Sequence, residues 1–92
     1  DGEQWIDRGS IRKYPNNEIS ILTRFFEAPN DSETKGKKLL YVMRINCENK
    51  KFKDTSINGI PNLKAEWTSS NNDELIDIVI NKSCEESELL NE

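Results

Sequence analysis

The sequence predicts an α+β domain: an antiparallel β-sheet of about five or six strands with a C-terminal α-helix packed on it. Three observations carry this expectation. Apolar residues gather in four short blocks, Trp5–Ile11, Ile19–Phe26, Leu39–Cys47 and Leu75–Ile80, instead of being scattered. The two middle blocks alternate with a period of two and are separated from their neighbours by turn-forming residues. After Ser70 the apolar spacing lengthens toward the period of a helix.

The elements follow in order. Trp5-Ile6-Asp7 and Ser10-Ile11-Arg12 read as a strand and a second short strand or bend, separated by a tight turn at Arg8-Gly9. Tyr14-Pro15-Asn16-Asn17 reads as a turn, because Pro fixes φ and Asn tolerates positive φ. Glu18 to Glu27 gives the clearest strand, with Ile19, Ile21, Thr23 and Phe25 on one face and Ser20, Leu22, Arg24 and Phe26 on the other. Ala28 to Lys38 is polar, contains Pro29 and Gly36, and reads as a long hairpin loop. Leu39 to Cys47 returns as a second long strand whose face of Leu39, Tyr41, Met43, Ile45 and Cys47 should meet the core. Paired antiparallel, these two strands make the central hairpin.

Glu48-Asn49-Lys50 turns the chain into a weaker strand around Lys51–Ile57, and Asn58-Gly59 is a further turn signal. Leu63 to Trp67 is a candidate last strand. Beyond Ser70, Asn71 or Asn72 is the expected helix cap, with Glu74 three residues after Asn71 as in a capping box. Leu75, Ile78, Val79 and Lys82 form the expected stripe, with Ile76 and Ile80 beside it. The competing reading of residues 75–80 is a strand, since Ile-Asp-Ile-Val-Ile is β-branched and alternates; the acidic start favours the helix.

Ninety-two residues suit a single domain, with an ordered core over about residues 4–84 and a frayed acidic tail over 85–92. The chain is polar, 34% hydrophobic and 33% charged, with a mean hydropathy of −0.82. Small polar domains often need a covalent or metal staple. Two cysteines and no histidine are present. An even count in such a domain fits a disulfide between Cys47 and Cys84; two buried free thiols are the alternative.

The same composition narrows function. Without histidine, a Ser-His-Asp or Cys-His nucleophile system cannot be built, and two thiolates leave too few soft ligands for zinc. The four glycines stand alone, so no phosphate loop is present. No cofactor or metal site is expected. No apolar run reaches the roughly 18 residues that span a bilayer. The net charge of −4 argues against a nucleic-acid partner. Asp73 and Glu74 are the nearest thing to a catalytic carboxylate pair, and a helix start accounts for them. Lys35, Lys37 and Lys38 form one basic patch; Lys50, Lys51 and Lys53, with Phe52 interleaved, form another. These seven residues are the candidate contacts for a partner, against the reading that they are solvated loop lysines. Trp5 and Trp67 read as core or sheet-packing residues.

The opening Trp-Ile-Asp-Arg-Gly-Ser-Ile-Arg, carrying Trp5, Asp7, Ser10 and Ile11, is followed by a strand and a variable polar loop. Cys47 ends a long strand, Trp67 comes late, and Cys84 is the final cysteine. This layout resembles the surface-adhesin protein E-like family. Where that family often has Pro after the late Trp, this chain has Thr68-Ser69-Ser70. The resemblance implies an exported bacterial protein with an antiparallel sheet, a C-terminal helix and a bond between the two cysteines. It also implies a role such as the binding of host matrix or serum proteins, although many relatives are simply exported.

Sequence and resemblance together predict a non-enzymatic protein-interaction or accessory module in the periplasm, a lumen or at the cell surface. It would be a monomer or weak homodimer with an unidentified protein partner. The alternatives are a small carboxylate-dependent hydrolase and a structural subunit of an extracytoplasmic complex.

Overall fold

Each strand pairs with the next one along the chain. The computed structural model describes residues 2–27 and 36–90. In it β1 (Gly2–Tyr14), β2 (Glu18–Glu27), β3 (Lys37–Asn46), β4 (Lys51–Ile57) and β5 (Ile60–Pro61) form one antiparallel sheet in the order β1-β2-β3-β4-β5. Helix α1 (Glu74–Leu89) crosses one face. The α+β architecture with a five-stranded sheet is the one the sequence predicts. Of the hairpin loop expected over Ala28–Lys38, residues 28–35 lie outside the described residues, and β3 already begins at Lys37.

The β1–β2 turn places Asn16 and Asn17 at φ of 67° and 62°, a region Asn tolerates better than most residues. The β4–β5 turn uses Asn58 and Gly59 at φ of 51° and 82°, the two left-handed positions that suit a tight hairpin. The core lies between the sheet and α1. Ile19, Ile21 and Thr23 from β2, and Met43 and Ile45 from β3, meet Val79, Ile80 and Cys84 of α1. Full burial of each aliphatic side chain is worth about 1.5–3 kcal/mol. Cys47 and Cys84 form a disulfide with a Cα–Cα distance of 5.8 Å.

Five local expectations are corrected. First, β1 is one thirteen-residue strand, not two pieces around a turn. Its register with β2 jumps between Asp7↔Leu22 and Arg12↔Ser20. The extra residues form a bulge held by side chains. The Asp7 carboxylate accepts the Gly9 N–H (3.0 Å), and the Ser10 hydroxyl donates to the Asp7 carbonyl (2.7 Å). The Ser10 oxygen also accepts the Leu22 N–H (2.8 Å), replacing a ladder bond that the bulge removes.

Second, Cys47 lies in the turn after β3, where its N–H donates to the Asn17 carbonyl (2.8 Å). Third, Leu63–Trp67 is not a strand, and Leu63 is 94% exposed. The segment lies along β4 without a ladder, because Thr68 alone pairs with Phe52, through two 2.9 Å bonds. Asn62 takes the positions between: its N–H donates to the Thr55 carbonyl and its side chain to the Asp54 carbonyl. The outer edge of β4 is therefore occupied by β5, Asn62 and Thr68 in succession.

Fourth, the helix cap is Asp73, whose carboxylate accepts the N–H groups of Leu75 and Ile76. Asn71 and Asn72 form the preceding turn at φ of 54° and 68°. The covered face is consequently Ile76, Val79, Ile80, Ser83, Cys84 and Ser87, whereas Leu75 and Ile78 are exposed. The position of Cys84 explains the rotation: Ile76 and Ile80 stand eight and four residues before it, on the same side of the helix. Fifth, the acidic stretch expected to fray is helical through Leu89, with Glu86 and Ser87 buried. The Arg8 Nε lies 2.8 Å from a Glu86 carboxylate oxygen, an ion pair that fastens this end of the helix to the bulge of β1.

Candidate interaction surface

One helix covers one face of a sheet, so alternate residues of every strand face the other way. No described element covers that second face. Its residues follow from the register. One row across the strands is Trp5, Arg24 and Leu40; the next toward the β2–β3 loop includes Phe26 and Lys38. Further along come Leu22 and Val42, then Arg12, Ser20, Arg44 and Lys53, and finally Tyr14, Glu18, Asn46 and Lys51.

The face has two chemically different ends. At the first, Trp5 is 51% and Leu40 is 37% exposed, and Phe26 and Leu22 are half-buried between them. Trp5, Phe26 and Leu40, with Arg24 and Lys38, border a shallow depression of about 840 Å³. At the second end the Arg44 guanidinium lies 3.7 Å from the centre of the Tyr14 ring and pairs with Glu18 at 3.0 Å. Lys53 stands 4.8 Å from the centre of the Trp67 ring.

Charge is segregated between the faces. By register the open face carries six cations (Arg12, Arg24, Lys38, Arg44, Lys51, Lys53) against Glu3, Asp7 and Glu18, a balance of +3. Residues 73–90 carry six carboxylates (Asp73, Glu74, Asp77, Glu85, Glu86, Glu88) against Lys82, a balance of −5.

A second concavity of about 430 Å³ lies on the covered face, beside the start of α1. Phe25, Tyr41, Phe52 and Ile76 line it together with Asp54, whose carboxyl is raised above its ordinary value by burial. The Phe25 and Tyr41 rings meet edge to face at 5.3 Å. The Asp73 carboxylate nearby is engaged by the helix N–H groups.

The candidate contacts named from sequence are dispersed. Lys35 lies outside the described residues, and Lys37 opens β3. Lys38 stands on the open face near its apolar end, and Lys50 projects from the β3–β4 turn. Lys51 and Lys53 point to the open face, while Phe52 points the other way and packs against the core. Trp5, Arg12, Arg24, Leu40 and Arg44, none of them named from sequence as a partner contact, belong to the same face, and Trp5, expected to pack in the core or on the sheet, is half exposed there. The signal was the double alternation of β2 and β3: both of their faces carry large apolar residues, and one helix can bury only one of them.

Along its length the chain matches the surface adhesin-E family, over residues 1–90. The chain belongs to the surface adhesin-E family. No curated protein and no solved structure matches it. Membership in a surface adhesin family and the Cys47–Cys84 disulfide both point to an extracytoplasmic location. No described helix is long and apolar enough to cross a membrane. For this surface adhesin-E member the four residues that carry the opening resemblance divide by role. Asp7 and Ser10 build the bulge and Ile11 packs on the core. Trp5 pairs with Arg24 in the ladder and is half in solvent.

Proposed function

We propose that this domain is a non-enzymatic interaction module, exported to the periplasm or cell surface, that holds a protein partner against the apolar end of its open sheet face. The observation that carries this reading is Trp5. A tryptophan 51% exposed on an uncovered face, beside Leu40 and Arg24, has the composition of an interface hot spot, where Trp, Tyr and Arg dominate. Clustered exposed apolar side chains rimmed by charge mark interaction sites more often than they occur by accident. The hydrolase reading has less support, because the carboxylate of Asp73, one of the two residues it would use, is engaged in capping the helix.

Site-specific photo-crosslinking in the producing cells tests it. A benzoylphenylalanine at position 5 should give a discrete adduct, absent when the probe replaces Ile78 on the exposed side of α1. The adduct should disappear in a Leu40→Glu background that keeps its circular dichroism spectrum. Equal labelling from both positions, or none from position 5, would remove the proposal.

A further inference from the structure

The basic end of the open face supports a separate inference, resting on residues other than the Trp5 patch. Arg12 pairs with Ser20, Ser20 with Arg44 and Arg44 with Lys53, so all four stand in one line across β1, β2, β3 and β4. At about 4.8 Å per strand the line runs about 14 Å from Arg12 to Lys53. Lys51 flanks it on the same face.

Arg44 and Lys53 are like charges directly opposite on neighbouring strands, an arrangement that destabilises a sheet. Here the two cations are drawn apart onto rings: Arg44 over Tyr14 at 3.7 Å and Lys53 over Trp67 at 4.8 Å. Stacking fixes their direction without neutralising them. Glu18 balances Arg44 alone; among the described residues no carboxylate forms an ion pair with Arg12, Lys51 or Lys53. The row contains no aliphatic side chain, so what it recognises is charge on a linear repeat, not an apolar protein core. The opposite charge of the helix face would turn this side of an acidic molecule toward an anion.

We infer that the Arg12–Arg44–Lys53 row binds a linear anionic polysaccharide, its sulfate or carboxylate groups spaced along the line of cations. An extracytoplasmic protein meets such polymers at surfaces and in matrices, which favours them over nucleic acid.

Titrating the intact domain with a heparin-derived octasaccharide, by calorimetry from about 50 to about 300 mM salt, measures this directly. Three cations engaged give a slope of log K against log salt of about −2. The Arg12→Gln/Lys53→Gln double variant should bind at least about tenfold more weakly, and Lys82→Gln on the helix should bind like the parent. The desulfated octasaccharide should bind far more weakly than the sulfated one. No binding at the lowest salt overturns the inference, as does an equal loss in Lys82→Gln. Oligodeoxythymidine of matched charge binding as tightly overturns the polysaccharide assignment, leaving a generic polyanion patch. An unchanged near-ultraviolet spectrum separates lost binding from lost fold, and the position-5 crosslink is read independently of all these outcomes.

Discussion

Opening the Cys47–Cys84 bond releases α1 from the sheet as well as loosening the unfolded chain. The bond spans 37 residues, and closing a loop of that length removes unfolded-state entropy worth about 4 kcal/mol. A domain of 92 residues has a total stability of about 5–14 kcal/mol, so this is a large share. With an unfolding entropy of about 2.1 cal/mol/K per residue, about 0.19 kcal/mol/K in all, the melting temperature should fall by about 20 °C.

The helix should suffer most. Its buried apolar side chains are Val79, Ile80 and Cys84, each worth about 1.5–3 kcal/mol. Ordering its 16 residues costs about 1–2 kcal/mol apiece before hydrogen bonding is credited. Circular dichroism melts followed at helix- and sheet-sensitive wavelengths, with and without reductant, test both parts. Cys47→Ala/Cys84→Ala should behave like the reduced parent. A reduced protein that melts in one transition within about 5 °C of the oxidised one would refute the reasoning.

Three further outcomes are expected. Ser10→Ala leaves the Leu22 N–H without its acceptor and should cost about 1–2 kcal/mol in urea unfolding; no loss would mean the bulge does not depend on that hydroxyl. Asp73→Ala removes the acceptor of two helix N–H groups and should cost about 1 kcal/mol, seen as an earlier loss of helical signal; an unchanged melt would point to a different cap. Burial raises the Asp54 carboxyl, so its stabilising contribution is present in acid and is lost as pH climbs from the ordinary carboxylate range through the raised value. Asp54→Asn should accordingly raise the melting temperature near pH 7 and change it little near pH 3; destabilisation at neutral pH would contradict a carboxyl held back by desolvation.

The parts of the fold readable from sequence were those set by local chemistry. Glu18-Ile19-Ser20-Ile21 alternates polar with apolar, and Asn58-Gly59 allows little but a tight turn, so pattern and outcome coincide there. The less readable features depend on distant partners. Gly9 looks like a turn until Leu22 offers its N–H to Ser10, a bond across 12 residues. The covered stripe of the helix is fixed by where Cys84 must meet Cys47, which shifts it away from Leu75 and Ile78. Lys51-Phe52-Lys53 looks basic and aromatic together in sequence, and pleating sends the ring to one face and the ammonium groups to the other. The open face escaped notice because Trp5 looks like core. Only the fact that a single helix roofs one side of five strands leaves it outside.

The sealing of β4 by β5, Asn62 and Thr68 has a consequence for assembly. Among the described residues, the far side of β1 is the only long run of strand backbone without a neighbour in the sheet, and the bulge at Arg8–Ile11 interrupts it. Pairing through backbone hydrogen bonds therefore has a valence of one. Two molecules joined β1 to β1 would present no further strand on which to grow, so such contact ends at a pair and cannot propagate into a fibre. The second sheet face can thus stay uncovered without the sheet becoming a polymerisation template.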